Sequence, residues 1–144
     1  MSLHSSRSNA LNRVVKKLIK NGIHVVVAAG NDYYYGNACD FSSASEPSAI
    51  TVGTTENTRD AVSLFSNVGK CLDIFLHLVQ MFLMLFLMVI NKSTFVFSGT
   101  SQATPHVTGT IALKISRFGN DTPDKVAKKL NRCKHKKMSF HLKL

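Results

Sequence analysis

The run Gly22-Ile23-His24-Val25-Val26-Val27-Ala28-Ala29-Gly30-Asn31-Asp32 constrains this chain more than any other stretch. It is continuously apolar, rich in valine and closed by Gly-Asn. Such a pattern predicts a strand buried on both faces of a parallel sheet. The segment ahead of it predicts the first covering helix. From Asn9 to Asn21, Leu11, Val14, Val15, Leu18 and Ile19 recur at helical spacing, with Lys16, Lys17 and Lys20 on the other side. Gly22 then reads as the C-cap. Helix, buried strand and further short apolar runs imply an α/β layered fold, a mostly parallel sheet flanked by helices. In open sheets of this kind ligands bind beyond the carboxyl ends of the strands. Asn31 stands at such an end, although Gly-Asn after a strand is also an ordinary turn sequence.

A second stretch carries reactive chemistry. Ser98-Gly99-Thr100-Ser101-Gln102-Ala103-Thr104-Pro105-His106-Val107-Thr108-Gly109 sets a serine between small residues and runs into an apolar, helix-compatible segment. A nucleophilic serine needs little steric cover, a fixed backbone and a helix N-terminus that favours nearby negative charge. Plainer readings attach to its neighbours. Thr104-Pro105 reads as a helix start with proline in the first turn. His106 follows on the same backbone segment and reads as a packed helix residue rather than a base. Gly109 permits close helix packing.

The stretch resembles the active-serine segment of the subtilisin-like serine proteases, the subtilases, whose pattern is Gly-Thr-Ser-x-Ala-Thr-Pro-His-Val-x-Gly. Gln102 occupies the variable position, where the family usually has Met. The resemblance implies that Ser101 is the nucleophile. It also implies that Asn31, in the matching Ala-Ala-Gly-Asn, donates a hydrogen bond to the oxyanion. Ser43 to Gly53 resembles the family's Pro-Ala-Ser-x-Pro-x-x-Ile-x-Val-Gly stretch. Ser63-Leu64-Phe65-Ser66-Asn67-Val68-Gly69 resembles its Ser-x-Phe-Ser-Asn-x-Gly turn, and Cys71-Leu72-Asp73-Ile74-Phe75 the strand that follows. The Glu-Pro-Ser and Asp-Ile-Phe forms favour the proteinase K-like branch. The motif matches run from about residue 2 to residue 118, so the chain divides into the C-terminal part of a subtilase catalytic domain (1–118) and a short helix with a basic tail (119–144). The helix is expected within Asp121 to Leu130, with a capping Thr or Asp and Pro in its first turn.

The same resemblance implies further sites. Ser2 and Leu3 match the start of the family's Ser-Leu-Gly-Gly substrate strand, and Ala28, Ala29 and Gly30 would line the substrate opposite it. His4 and Ser5 replace the two glycines, which normally let a peptide backbone come close. A structural calcium ion is implied at the carbonyls of Pro47 and Ala49 and the carboxylate of Asp73, an oxygen set suited to a hard cation. No organic cofactor is implied. The substrate is a polypeptide, and the compartment suggested is extracellular or vacuolar.

Two triad members are not found in the sequence. In the subtilase order aspartate comes first, histidine second and serine last. No Asp-Thr/Ser-Gly or His-Gly-Thr-His segment occurs, and none of His4, His24, His77, His106, His135 and His141 has a Gly-Thr setting. The segment of the catalytic domain that carries these groups is therefore an expected partner. Two readings of function follow: a serine endopeptidase represented by an incomplete chain, and a non-catalytic remnant that acts, if at all, by binding.

Composition supports a fragment of one domain: the chain has 144 residues and a formal net charge of +10. The basic residues cluster in Asn9 to Lys20 and Lys125 to Lys143 without interleaved aromatics, which argues against nucleic acid. Three cysteines, Cys39, Cys71 and Cys133, are an odd count and define no framework. Asn91-Lys92-Ser93 and Asn120-Asp121-Thr122 match the glycosylation pattern. The polar N-terminus has no secretory-signal pattern.

Ile74 to Ile90 breaks the resemblance. It is a run of Leu, Met and Phe interrupted by His77 and Gln80, short for a membrane span, where the family has a surface loop beginning Ala-Pro-Gly. With one choice of codons, shifting the frame by two bases across Leu76 to Phe82 yields Ala-Pro-Gly-Ala-Asn-Val. A slipped reading frame or intron boundary accounts for residues 76–90 as an aberrant segment.

Overall fold

A computed structural model describes residues 1–3, 5–33, 36–56, 61–77, 82–87 and 92–134. Its centre is a three-stranded parallel sheet of β2 (Val26–Ala28), β4 (Ile50–Thr55) and β5 (Ile74–His77), with β4 in the middle. Val26 pairs with Ile50 and Ala28 with Val52, while Val52 pairs in turn with Ile74. Val26, Val27 and Ala28 are all buried, as the valine-rich run predicts.

Alternation along β2 explains why both faces are covered. Val25, Val27 and Ala29 join Val15 of α1 (Asn9–Lys20), with Leu11, Leu18 and Ile19 packed against them. Val26 faces the other way, and with Ile50 and Val52 meets Ala103, Val107 and Ile111 of α2 (Thr100–Phe118). Burying each such aliphatic side chain is worth roughly 1.5–3 kcal/mol. α3 (Pro123–Lys134) adds Val126, Ala127 and Leu130 to that second cluster. Val126 is 1% exposed, so the helix expected after Asp121 forms part of this core.

α1 begins at the N-cap Ser8, whose Oγ accepts from the Leu11 N–H. It ends where Gly22, at φ +86°, takes the left-handed turn that a side chain resists. Val14 departs from expectation: although it falls in the apolar pattern, it is 56% exposed, because the buried stripe is centred on Val15. Pro105 departs too. α2 starts at Thr100, so the proline lies inside the helix and has no N–H to give the Ser101 carbonyl.

Two short strands, β1 (Ser5–Ser6) and β3 (Phe41–Ser42), pair antiparallel beside α1. A separate hairpin of β6 (Phe82–Leu87) and β7 (Lys92–Phe97) pairs Phe82 with Phe97 and Leu87 with Lys92. The apolar run is thus divided between β5 and β6, with residues 78–81 and 88–91 outside the described set. Among the described residues no helix is long and apolar enough to cross a membrane. The cysteine reading is corrected: Cys39 and Cys71 form a disulfide, with Cα atoms 5.4 Å apart. Their pairing follows from the bridge between Asn37 and Val68, which lays the two loops side by side. Cys133 lies in α3.

Candidate active site

The site forms where the carboxyl end of β2 meets the amino end of α2. Asn31 is held by its amide oxygen. Oδ1 accepts the Thr100 backbone N–H at 2.9 Å and the Thr100 hydroxyl at 3.0 Å. The hydroxyl oxygen in turn accepts the Gly30 N–H at 3.2 Å. Thr100 is fully buried, so this grip is shielded from water. With the oxygen engaged, the amide nitrogen of Asn31 is left as the free end, and the residue itself is exposed.

Gly99 shows where that nitrogen stands. A Cβ built there would lie 3.0 Å from Asn31 Nδ2, 3.3 Å from Ser101 Oγ and 2.8 Å from Gln102 Oε1. The donor and the hydroxyl, distant in sequence, therefore flank one small space that only glycine leaves open. Ser101 is half-buried in the first turn of α2, and its Oγ donates to Gln102 Oε1 at 2.8 Å. The first-turn N–H groups of the long α2 favour negative charge at this place. A hydroxyl and a fixed amide donor around one cavity are the parts that acyl transfer requires, short of a base.

Residues 1–141 match the model of the subtilase family (Peptidase_S8). The chain belongs to the subtilase family. It is 43% identical over 130 residues to an extracellular serine proteinase of Thermus sp. strain Rt41A, covering 90% of this chain and 30% of that protein. It is 44% identical over 138 residues to subtilisin-like protease 2 of Pseudogymnoascus destructans, covering 90% of this chain and 31% of that protein. The crystal structure of a cold-adapted subtilisin-like serine proteinase superposes with a TM-score of 0.76 at 36% identity, covering 92% of this chain and 46% of that one. This subtilase chain thus spans about a third of the curated relatives it matches, and just under half of the solved structure.

The remaining expected site residues fall as follows. Met1 lies along the free edge of β2: its amino group donates to Val26 O, and its carbonyl accepts the Ala28 N–H at 3.1 Å. Burial lowers the pKa of that amino group. Ser2 and Leu3 follow it and are exposed. Ala28, Ala29 and Gly30 are buried, and Gly30 takes φ +104° to turn the chain toward Asn31. His4 is outside the described residues. Ser5, at the second altered glycine, pairs with Ser42.

Asp73 lies beside the start of β4. Its Oδ2 accepts the Thr51 N–H at 2.9 Å, and Oδ1 accepts only a long 3.3 Å bond from Asn131. The carboxylate of Asp73 and the carbonyls of Pro47 and Ala49 are oxygen ligands of the type that would suit a hard cation. Among the described residues no group of three acidic, histidine or cysteine side chains gathers, here or elsewhere.

Three features escaped the sequence reading. Thr100 was legible only as part of a motif, not as the clamp on Asn31. Asn67 was legible only as part of a turn. A cavity of about 260 Å³ is lined by Tyr33, Thr55, Glu56, Ser63, Leu64, Phe65 and Ser98, and its lining comes from four separate segments.

Proposed function

We propose that this chain carries the nucleophile and the oxyanion donor of a serine endopeptidase. The approach of Asn31 Nδ2 and Ser101 Oγ to the same space at Gly99 is the observation that supports it. Ser101 Oγ attacks the scissile carbonyl carbon. The hydroxyl proton passes to a base supplied by the catalytic-domain segment that precedes this stretch in its relatives. The carbonyl oxygen becomes an oxyanion that accepts from Asn31 Nδ2. Collapse of the tetrahedral species breaks the C–N bond, the leaving amine takes the proton, and water then hydrolyses the acyl-serine. The peptide is read as lying against Ser2, Leu3 and the Ala28–Gly30 edge. Calcium held by Pro47, Ala49 and Asp73 would brace the start of β4 and supply no chemistry.

A fluorophosphonate probe tests this reading. In the catalytic domain completed with the upstream segment, label should appear on Ser101 and vanish in Ser101→Ala. Label on another residue, with peptide hydrolysis intact in Ser101→Ala, overturns it. A second reading, a non-catalytic remnant, has one observation in its favour: in the chain as it stands the Ser101 hydroxyl donates to Gln102 rather than to a base. On that reading the completed domain stays unlabelled.

A further inference from the structure

We propose that Asn67 is a positioning residue for the oxyanion donor, holding the turn that carries it. The proposal rests on reading Asn31 as that donor, and it adds a second residue through which the donor acts.

Asn67 is fully buried and lies beneath the Ala29–Asp32 turn. Its hydrogen-bonding groups are spent on that turn. The backbone N–H donates to Gly30 O at 3.0 Å. Nδ2 donates to Ala29 O at 3.1 Å and to Asp32 Oδ2 at 2.7 Å. Oδ1 accepts the Asp32 N–H at 2.8 Å. The turn on both sides of Asn31 is therefore pinned by one residue, through its carboxamide at Ala29 and Asp32 and its backbone N–H at Gly30, while the Asn31 side chain is oriented by Thr100.

Packing makes the arrangement specific. A Cβ on Gly30 would lie 3.2 Å from Asn67 Cγ, and one on Gly36 would collide with the same carboxamide and lie 2.9 Å from Asp32 Cβ. Two glycines thus leave the volume that Asn67 fills. The group must donate and accept at once, in a plane. A carboxylate there loses the donor and meets the charge of Asp32, whereas an apolar side chain removes the carboxamide partner of both the buried Ala29 O and the Asp32 N–H.

Asn67 is itself anchored to the sheet. Ser66 Oγ accepts the Thr54 N–H of β4 at 3.1 Å and donates to Asn67 O at 3.1 Å. Ala38 N–H donates to Val68 O at 2.8 Å, next to the Cys39–Cys71 disulfide. A continuous line runs from β4 through Ser66 and Asn67 to the turn that carries the donor. A displacement of about 1 Å at such a group can cost on the order of a hundredfold in rate.

Two measurements test the proposal on Asn67→Ala and on Asn67→Asp, which keeps the size and the acceptor but not the donor. Val126→Ala, in the other core cluster from Ala29, serves as the gauge of plain destabilisation. In the completed catalytic domain, the maximal rate of fluorophosphonate labelling at Ser101 should fall about ten- to a hundredfold in both Asn67 variants with the half-saturating probe concentration unchanged. Asn31→Ala combined with Asn67→Ala should be no slower than Asn31→Ala alone, since both act through one donor. Val126→Ala should keep the wild-type rate. In the chain itself, amide exchange followed by NMR should show the Asp32 N–H losing protection in Asn67→Ala but not in Val126→Ala. Multiplying losses in the double variant, or Asp32 protection unchanged in Asn67→Ala, would overturn the proposal. If wild type takes no label at Ser101, the function reading fails, and the Asp32 exchange alone decides whether Asn67 holds the turn.

Discussion

Thr100 grips Asn31 twice on one atom, its backbone N–H and its hydroxyl both donating to Oδ1. An amide held by its oxygen has only its nitrogen to present, so the donor faces the serine without having to rotate. Thr100→Val removes the hydroxyl's bond to Asn31 and its bond from the Gly30 N–H, and leaves the backbone one. A neutral hydrogen bond contributes about 1 kcal/mol, so loss of the one to Asn31 alone predicts labelling of Ser101 in the completed domain at least about fivefold slower, with Asn31 still required. An unchanged rate would show that the backbone N–H suffices.

Asp121 joins α2 to α3 by accepting from Lys129 Nζ at 2.8 Å and Lys114 Nζ at 3.0 Å. The Lys129 bond first, and the Lys114 bond second, lower its pKa from 3.8 to about 2. A carboxyl whose folded value lies below its unfolded one stabilises the fold above about pH 4, and the stabilisation disappears as pH falls through about 2. The urea midpoint of wild type should exceed that of Asp121→Asn at pH 6 and converge with it near pH 2. A constant gap across that range would refute the linkage.

The Cys39–Cys71 disulfide closes a loop with a sequence separation of 32, which includes β3 and β4. Cross-links of this span typically stabilise by about 2–4 kcal/mol. The double substitution Cys39→Ala and Cys71→Ala should lower the denaturant midpoint accordingly, and reductant should lower the wild-type midpoint but not that of the double variant. Equal sensitivity in both would locate the effect elsewhere.

If calcium binds at Asp73, the ion stabilises only the folded chain and raises the melting temperature as its concentration rises. Asp73→Asn keeps the shape but loses the charge, so its melting temperature should be flat over a titration in which the wild-type value climbs. Equal climbs in both would dismiss the site.

Residues 76–90 bear on solubility. Exposed runs of Leu, Met and Phe promote association. Replacing Leu76 to Phe82 with the Ala-Pro-Gly loop should raise the soluble, monomeric fraction by size-exclusion chromatography. A soluble monomer with the native run protected from proteolysis would instead show that the run has a packing partner.

How much was readable depended on whether the information was local. Val25 to Ala29 announced a doubly covered strand because burial on both faces suppresses polar alternation. α1 was legible through its spacing, but Val14 was not, since the edge of a stripe depends on what lies against it. Ser101 and Asn31 were visible because each belongs to a compact motif. The pairing of Cys39 with Cys71 was hidden, because it is set by the meeting of Asn37 with Val68. The roles of Thr100 and Asn67 were hidden for the same reason. Each is defined by partners at least 35 residues away in sequence.

The burial of Val126 bears on where a shortened version of this chain could safely end. A product stopping at Phe118 would keep every part of the serine motif yet lose Val126, Ala127 and Leu130, with which α3 completes this core beside β5. Such a product would be born sticky, a substrate for the cell's quality control before it could be tested for anything else. Any expression boundary drawn from the motifs alone would discard the helix that completes their core.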